Sequence, residues 1–122
     1  MTNARLALAR QVATLTIAAV IAVLLLIPGV DRKLPAWSDH ADTVYHMILF
    51  TALALPTAIS APRDLRWLVL AALVLGIALE FIQPSVGRTF SWADIAANAS
   101  GLALGTALGL FLRHFRRVAN PE

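Results

Sequence analysis

Four long apolar runs set the kind of structure that this chain can form. They cover residues 11–30, 42–60, 65–83 and 92–112, and each is about 20 residues long. Because a helix rises 1.5 Å per residue, a run of this length crosses the hydrocarbon core of a bilayer. A soluble core of this size could not hide the apolar surface, since 59% of the 122 residues are hydrophobic and 14% are charged. The sequence therefore predicts an all-α, four-helix transmembrane bundle.

Helix-breaking and helix-capping residues mark the ends of these runs. Pro28 and Gly29 end the first run, and Pro84 ends the third because the residue before a proline disfavours helical geometry. Ser91 followed by Asp94 has the spacing of a capping box, which predicts that the fourth helix begins there. The first run has the basic start of a secretory signal, but it is long and lacks a small-x-small cleavage site. We expect an uncleaved helix.

Basic residues are distributed unevenly between the two sides of the predicted bundle. Four spans place both chain ends and the turn at 61–66 on one side. Seven basic residues lie on that side and three on the other, namely Arg5, Arg10, Arg63, Arg66, Arg113, Arg116 and Arg117 against Arg32, Lys33 and Arg88. Because basic residues in short loops favour the cytoplasm, we expect both termini and a basic tail, 113–122, to be cytoplasmic.

Overall composition excludes several other classes. The net charge of +3 is explained by the orienting arginines, and no basic run is interleaved with base-stacking aromatic residues, so no nucleic-acid partner is expected. The absence of cysteine excludes disulfides, thiolate metal sites and cysteine nucleophiles. The bilayer itself is the partner that the sequence predicts.

Polar and ionisable residues collect at one end of the second, third and fourth spans. Spacings of three and four residues place the pairs of each span on one helix face. A charge at the bilayer centre costs about 2.5–3.5 kcal/mol on insertion scales, so such a group indicates a function. The candidate ligand-binding residues are Asp42, His46, Glu80, Gln83, Arg88, Ser91, Asp94 and Asn98.

Three roles are open for this cluster. The leading hypothesis is a site for a lipid-linked or cell-envelope component, in which Arg88 binds an anionic group such as phosphate bidentately. The second is an intramembrane enzyme that acts on a phosphorylated lipid, with Glu80, Asp94 or His46 as general acid or base. In the third, the carboxylates pair with Arg88 and His46, and the cluster serves a structural or partner-binding subunit.

Metal binding is a further alternative, with Asp42, His46, Glu80 and Asp94 as possible ligands. One imidazole with hard oxygen ligands suits several divalent ions. However, the sequence contains no compact metal motif such as HExxH. No metal and no other cofactor is expected.

Gly101, Gly105 and Gly109 follow one another at intervals of four in the fourth span. Such a small-xxx-small ridge lets a neighbouring helix approach closely. We expect it to pack inside the bundle, with a homo-oligomer contact as the alternative.

Two blocks of the sequence resemble the VanZ-like family of small bacterial integral membrane proteins. The first block is Asp42–x3–His46 with Leu53 following. The second is Glu80–x2–Gln83, then Gly87–Arg88–x2–Ser91–x2–Asp94–x3–Asn98–x2–Gly101–x3–Gly105. The blocks cover roughly residues 42–105, and their polar spacing crosses a loop. On this resemblance we treat 1–122 as one VanZ-like membrane domain.

The resemblance implies a multi-pass protein of the bacterial inner (plasma) membrane that acts at the cell envelope. The family is named for a member linked to resistance against teicoplanin, a glycopeptide that acts on cell-wall precursors outside the membrane. It implies no catalytic residues. Thr43 stands where the family often has Lys, and Phe50 where it has Tyr. A cation beside Asp42 is therefore either supplied by Arg88 or not required.

Overall fold

The computed structural model describes residues 2–28 and 40–121, and every regular element within them is helical. Each of the four long helices is long and apolar enough to span a membrane. Within the described residues, the predicted all-α class with four membrane-spanning helices is thus confirmed. The long helices are α1 (Asn3–Leu26), α2 (Ala41–Ser60), α3 (Leu65–Ile82) and α4 (Trp92–Ala119), and 3₁₀ turns cover Pro62–Asp64 and Gln83–Val86.

Two helices extend beyond the apolar runs that predicted them. α1 begins at Asn3 rather than at residue 11, and α4 continues to Ala119 rather than ending at 112. Apolar composition marks the part of a helix that lies in lipid, whereas backbone hydrogen bonding continues through arginines, which are good helix formers. Most of the predicted tail is therefore the last part of α4. α1 ends at Leu26, shortly before the end predicted at Pro28 and Gly29, and residues 29–39 lie outside the described part of the chain.

The core lies where α1, α2, α3 and α4 meet. Its fully or almost fully buried side chains are Ile21, Leu25, Phe50, Leu53, Ala54, Ala72, Leu79 and Leu102. Large apolar side chains such as Leu15, Val74 and Phe111 are exposed on the outer surface. An apolar exterior of this kind is expected of helices that face lipid.

The glycines of α4 face α2, and the two helices make the closest contact in the bundle. A Cβ atom would clash at each: at Gly101 with the Met47 carbonyl oxygen, at Gly105 with the Thr51 carbonyl oxygen, and at Gly109 with the Ala58 Cβ atom. The Thr51 hydroxyl lies 2.8 Å from the Met47 carbonyl oxygen and 3.1 Å from that of Gly101. The ridge therefore packs within this chain, as a seam between α2 and α4.

The two ends of the bundle differ in chemistry. The end formed by the C-termini of α1 and α3 and the N-termini of α2 and α4, the polar end, carries the eight candidate residues. At the opposite, basic end, the Arg10 guanidinium pairs with Asp64 at 3.2 Å. There the Arg113 guanidinium also donates to the Ile59 carbonyl oxygen at 2.9 Å. The fold thus gathers the polar groups of distant segments at one end.

Candidate functional site

His46 of α2 lies at the centre of the polar end and is fully buried. Its Nδ1 atom is 2.9 Å from the Asn98 Oδ1 atom. Because an amide oxygen only accepts, the Nδ1 atom carries a proton and donates it to Asn98. A carboxylate oxygen lies on each side of the ring, Glu80 Oε1 at 3.7 Å from Nδ1 and Asp94 Oδ2 at 3.7 Å from Nε2. Both distances exceed the normal length of a hydrogen bond.

Asp94 is oriented by a residue that the sequence did not single out as a ligand. The Thr43 hydroxyl donates to Asp94 Oδ1 at 2.7 Å, which leaves Oδ2 directed at His46. Thr43 stands where the resembled family often has Lys, and it is not one of the eight candidate site residues. Its spacing of three from His46 was the available signal, because residues three apart share a helix face.

The start of α4 corrects the predicted capping box. The Asp94 backbone N–H donates to Ser91 Oγ at 3.2 Å, so Ser91 is the N-cap as predicted. The Ser91 backbone N–H, however, donates to Glu80 Oε2 of α3 at 3.0 Å. The Asp94 carboxylate points to Thr43 and His46 instead. The reciprocal cap is therefore supplied by a different helix, which ties α3 to α4.

Arg88 is committed to a partner within the protein. Its Nη2 atom donates to both Asp42 oxygens, at 2.9 and 3.1 Å, and Nη1 donates to the Leu24 carbonyl oxygen at 3.4 Å. Its side chain is 2% exposed, against 35% for Asp42. Arg88 is thus the cation beside Asp42, and its guanidinium is paired within the protein.

The loop after α3 places Arg88 through a single unusual backbone geometry. Gly87 has φ of 83°, in the left-handed region that favours glycine. The turn directs the chain back, and the Arg88 N–H donates to the Gln83 carbonyl oxygen at 3.0 Å. The short turn at Gln83–Val86 therefore positions both Gln83 and Arg88 against α1.

Side chains of the site bind the last turn of α1. Gln83 Nε2 donates to the Leu25 carbonyl oxygen at 3.2 Å, and Arg88 reaches that of Leu24. The last carbonyls of a helix have no partner within the helix, so these side chains satisfy part of that end. This contribution could not be predicted from the sequence, because the backbone carbonyl groups of apolar residues have no counterpart in the side-chain pattern.

At the polar end, three buried polar side-chain atoms have no hydrogen-bond partner among the described residues. They are His46 Nε2, Glu80 Oε1 and Asn98 Nδ2. Their side chains belong to three different helices, α2, α3 and α4. Native structures leave few buried polar groups unpaired, so each such group calls for an explanation. This group offers one amide donor, one carboxylate oxygen and one ring nitrogen, which are the kinds of atom that bind polar ligands.

The eight candidate residues thus meet at one end, and six of them are buried; Asp42 and Ser91 are partly exposed. Asp42, His46 and Asp94 also offer ligand atoms that all lie within 4.8 Å of one another. Glu80, the fourth candidate metal ligand, is outside that group of donors and caps Ser91.

No protein-family model, curated protein or solved structure matches this chain. The VanZ-like resemblance accordingly depends on the motif residues and stays a prediction.

Proposed function

We propose that this multi-pass membrane protein uses its polar end to bind a lipid-linked or other cell-envelope component. The observation that carries the proposal is the set of three unpartnered buried atoms on His46, Glu80 and Asn98. Leaving a buried polar group unsatisfied costs about 1–3 kcal/mol, and three such costs at one place are offset when a ligand pairs with them. Donor and acceptor together suit the hydroxyl, amide or phosphate groups of an envelope precursor.

An anionic part of such a ligand would bind at Arg88 by replacing Asp42. One nitrogen of the guanidinium, Nη2, already donates to both oxygens of a carboxylate, and a phosphate offers the same two-oxygen arrangement. Asp42 is partly exposed, so its carboxylate can turn outward into water when an anion takes its place. The family link to glycopeptide resistance makes cell-wall precursors the first ligands to test.

This proposal is tested by the lipids that copurify with the protein in mild detergent. We expect wild type to retain a polar lipid species that Asp94→Asn and Glu80→Gln each reduce at least about tenfold, the equivalent of 1.4 kcal/mol. Both changes preserve shape, and an amide oxygen can still accept from Thr43 or from the Ser91 N–H. Mass spectrometry of the extracted lipids gives the measurement.

Arg10→Gln is the matched control, because Arg10 lies in the ion pair at the basic end. It is expected to leave the lipid profile unchanged. If the site variants stay folded and keep the wild-type lipid profile, the polar groups serve only to hold the bundle, as in a structural or partner-binding subunit.

A second candidate function is an intramembrane enzyme that acts on a phosphorylated lipid. The arrangement that favours it is an imidazole with a carboxylate oxygen 3.7 Å from each ring nitrogen. Such a group can take up and release a proton during catalysis. Turnover of a copurified lipid by wild type and its loss in His46→Gln would support the enzyme over the binding protein.

We also propose that both termini are cytoplasmic and that the polar end faces outward in a bacterial inner membrane. The ion pair of Arg10 and the hydrogen bond of Arg113 bring arginines of α1 and α4 to the same end, and this basic end fits the positive-inside rule. Because the chain has no cysteine, single cysteines report their side cleanly.

The orientation is tested with the exposed positions Thr89 and Ala119. In right-side-out membranes, an impermeant maleimide is expected to label Thr89→Cys, and to label Ala119→Cys only after permeabilisation. Labelling of Ala119→Cys before permeabilisation would reverse the orientation and place the site at the cytoplasmic surface.

A further inference from the structure

We propose that Asp42, His46 and Asp94 bind a divalent transition-metal ion at the polar end. The three residues lie on two helices, α2 and α4, and their ligand atoms are within 4.8 Å of one another. The inference stands on these side chains alone and does not depend on the identity of the proposed lipid ligand.

His46 has the geometry of a preformed metal ligand. Its Nδ1–H donates to Asn98 Oδ1 at 2.9 Å, while Nε2 is buried with no hydrogen-bond partner among the described residues. Metal-binding histidines commonly donate the second ring N–H to an oxygen, which fixes the tautomer and the ring orientation. Asn98 performs this role here and directs the lone pair of Nε2 towards Asp94.

Asp94 is held in the same manner. Thr43 donates to one carboxylate oxygen at 2.7 Å, and the other lies 3.7 Å from His46 Nε2. That separation is too long for a hydrogen bond. It does suit two ligands that share one ion, because metal–nitrogen and metal–oxygen distances are about 2.1 Å each.

Asp42 supplies the third ligand. Arg88 donates to both of its oxygens, but each carboxylate oxygen retains another lone pair for a metal. Two ligands of one ion lie at most about 4.2 Å apart, so a pair of donors at the limit of 4.8 Å closes by about half an ångström on binding. Asp42 is partly exposed at the helix start and is free to make that movement.

The charges at the polar end favour a cation. Among the described residues, the carboxyl groups of Asp42, Glu80 and Asp94 meet one guanidinium, that of Arg88. Arg88 pairs with Asp42, which leaves the buried carboxylate of Asp94 without a guanidinium against it, and burying such a charge unpaired is costly. A divalent ion at this place supplies the missing positive charge.

The donor set also indicates the class of metal. Mg²⁺ and Ca²⁺ prefer sites made entirely of oxygen ligands. One imidazole with two carboxylates suits Zn²⁺ or Mn²⁺ better. The competing explanation for the position of Asp94 beside the ring is a second proton on His46. Nε2 would then carry an N–H directed at Asp94, and no metal would lie between them.

Metal analysis of the purified protein separates these two explanations. The protein is stripped with a chelator, reloaded with Zn²⁺ or Mn²⁺, freed of excess ion and measured by inductively coupled plasma mass spectrometry. We expect about one ion per wild-type chain, and at least about tenfold weaker binding for His46→Gln and for Asp94→Asn. Asp64→Asn is the control, because Asp64 lies in the ion pair at the basic end, and it is expected to retain the ion.

A second measurement uses wild type alone, so that it does not depend on the folding of variants. Co²⁺ is expected to give visible absorption bands that Zn²⁺ displaces. Failure of wild type to bind any of these ions, or equal binding by His46→Gln, would overturn the metal site and leave the doubly protonated His46. Retention of the polar lipid by chelator-treated protein would show that the proposed binding function holds without the metal.

Discussion

Replacing Asp42 by alanine is expected to lower the free energy of unfolding by about 2–3 kcal/mol. The change leaves the Arg88 guanidinium buried without the carboxylate that accepts both of its Nη2 contacts, at 2.9 and 3.1 Å. The bond of 3.4 Å to the Leu24 carbonyl oxygen is the remaining contact of the guanidinium that the structure describes. The unfolding free energy is measured by circular dichroism during titration with sodium dodecyl sulfate, with a chelator present so that no bound ion contributes.

The ion pair at the basic end supplies a matched control. Arg10 and Asp64 are 3.2 Å apart, but the Asp64 side chain is 56% exposed. Exposed ion pairs contribute about 0–1 kcal/mol, so Asp64→Ala is expected to cost less than about 1 kcal/mol. Equal costs for Asp42→Ala and Asp64→Ala would show that Asp42 does not hold Arg88 in the bundle, and would leave the guanidinium available to a ligand.

A double variant isolates the buried charge as the cause. Replacing both partners, as Asp42→Leu with Arg88→Leu, removes the charge that Asp42→Ala leaves unpaired. Apolar replacement of a whole buried pair is often neutral. The double variant is therefore expected to be more stable than Asp42→Ala, and the opposite order would contradict a desolvation penalty at Arg88.

The spans and the gathering of polar groups at one end could be predicted from the sequence because two strong constraints act on them. Lipid offers no hydrogen bonds, so an apolar run of about 20 residues must form a helix. Short connections then alternate the direction of the helices, which brings the start of α2 and α4 to the end of α3. For this reason Asp42, Glu80 and Asp94 lie at the same end of the bundle.

The partner of each polar group could not be predicted in the same way. The spacing of Ser91 and Asp94 indicated a reciprocal cap within one helix, yet Glu80 from α3 accepts the Ser91 N–H. A local sequence pattern indicates which hydrogen bond can form. The packing of the helices determines which of the competing groups lies close enough to form it. The Asp94 carboxylate instead lies against Thr43 and His46 of α2. The residue spacing along α4 carries no information about which residues of α2 pack there.

The hydrogen bonds that the end of α1 accepts could not be predicted either. Its last turn receives hydrogen bonds from Gln83 and Arg88 through the carbonyl oxygens of Leu25 and Leu24. A leucine in an apolar run predicts burial and says nothing about its backbone oxygen. The residue at which a helix ends determines which carbonyl groups are left without a partner within the helix. α1 ends at Leu26, before the predicted end.

Replacing Gly105 by valine is expected to destabilise the bundle by about 3 kcal/mol, at the upper end of the cost of overpacking. A Cβ atom there clashes with the Thr51 carbonyl oxygen and lies 2.9 Å from the Ala54 Cβ atom. Both neighbours belong to α2, and a backbone carbonyl cannot move aside as a flexible side chain can. The same titration with sodium dodecyl sulfate measures the loss.

Ala107→Val is the matched control, two residues further along α4 on its exposed surface. Helix propensity alone predicts the reverse order of costs, because valine is a better helix former than glycine and a poorer one than alanine. A larger loss at Gly105 therefore has to come from contact with α2. If Gly105→Val keeps wild-type stability but separates a dimer into monomers, the glycine ridge faces a second copy of the chain, and the seam between α2 and α4 does not hold the bundle together.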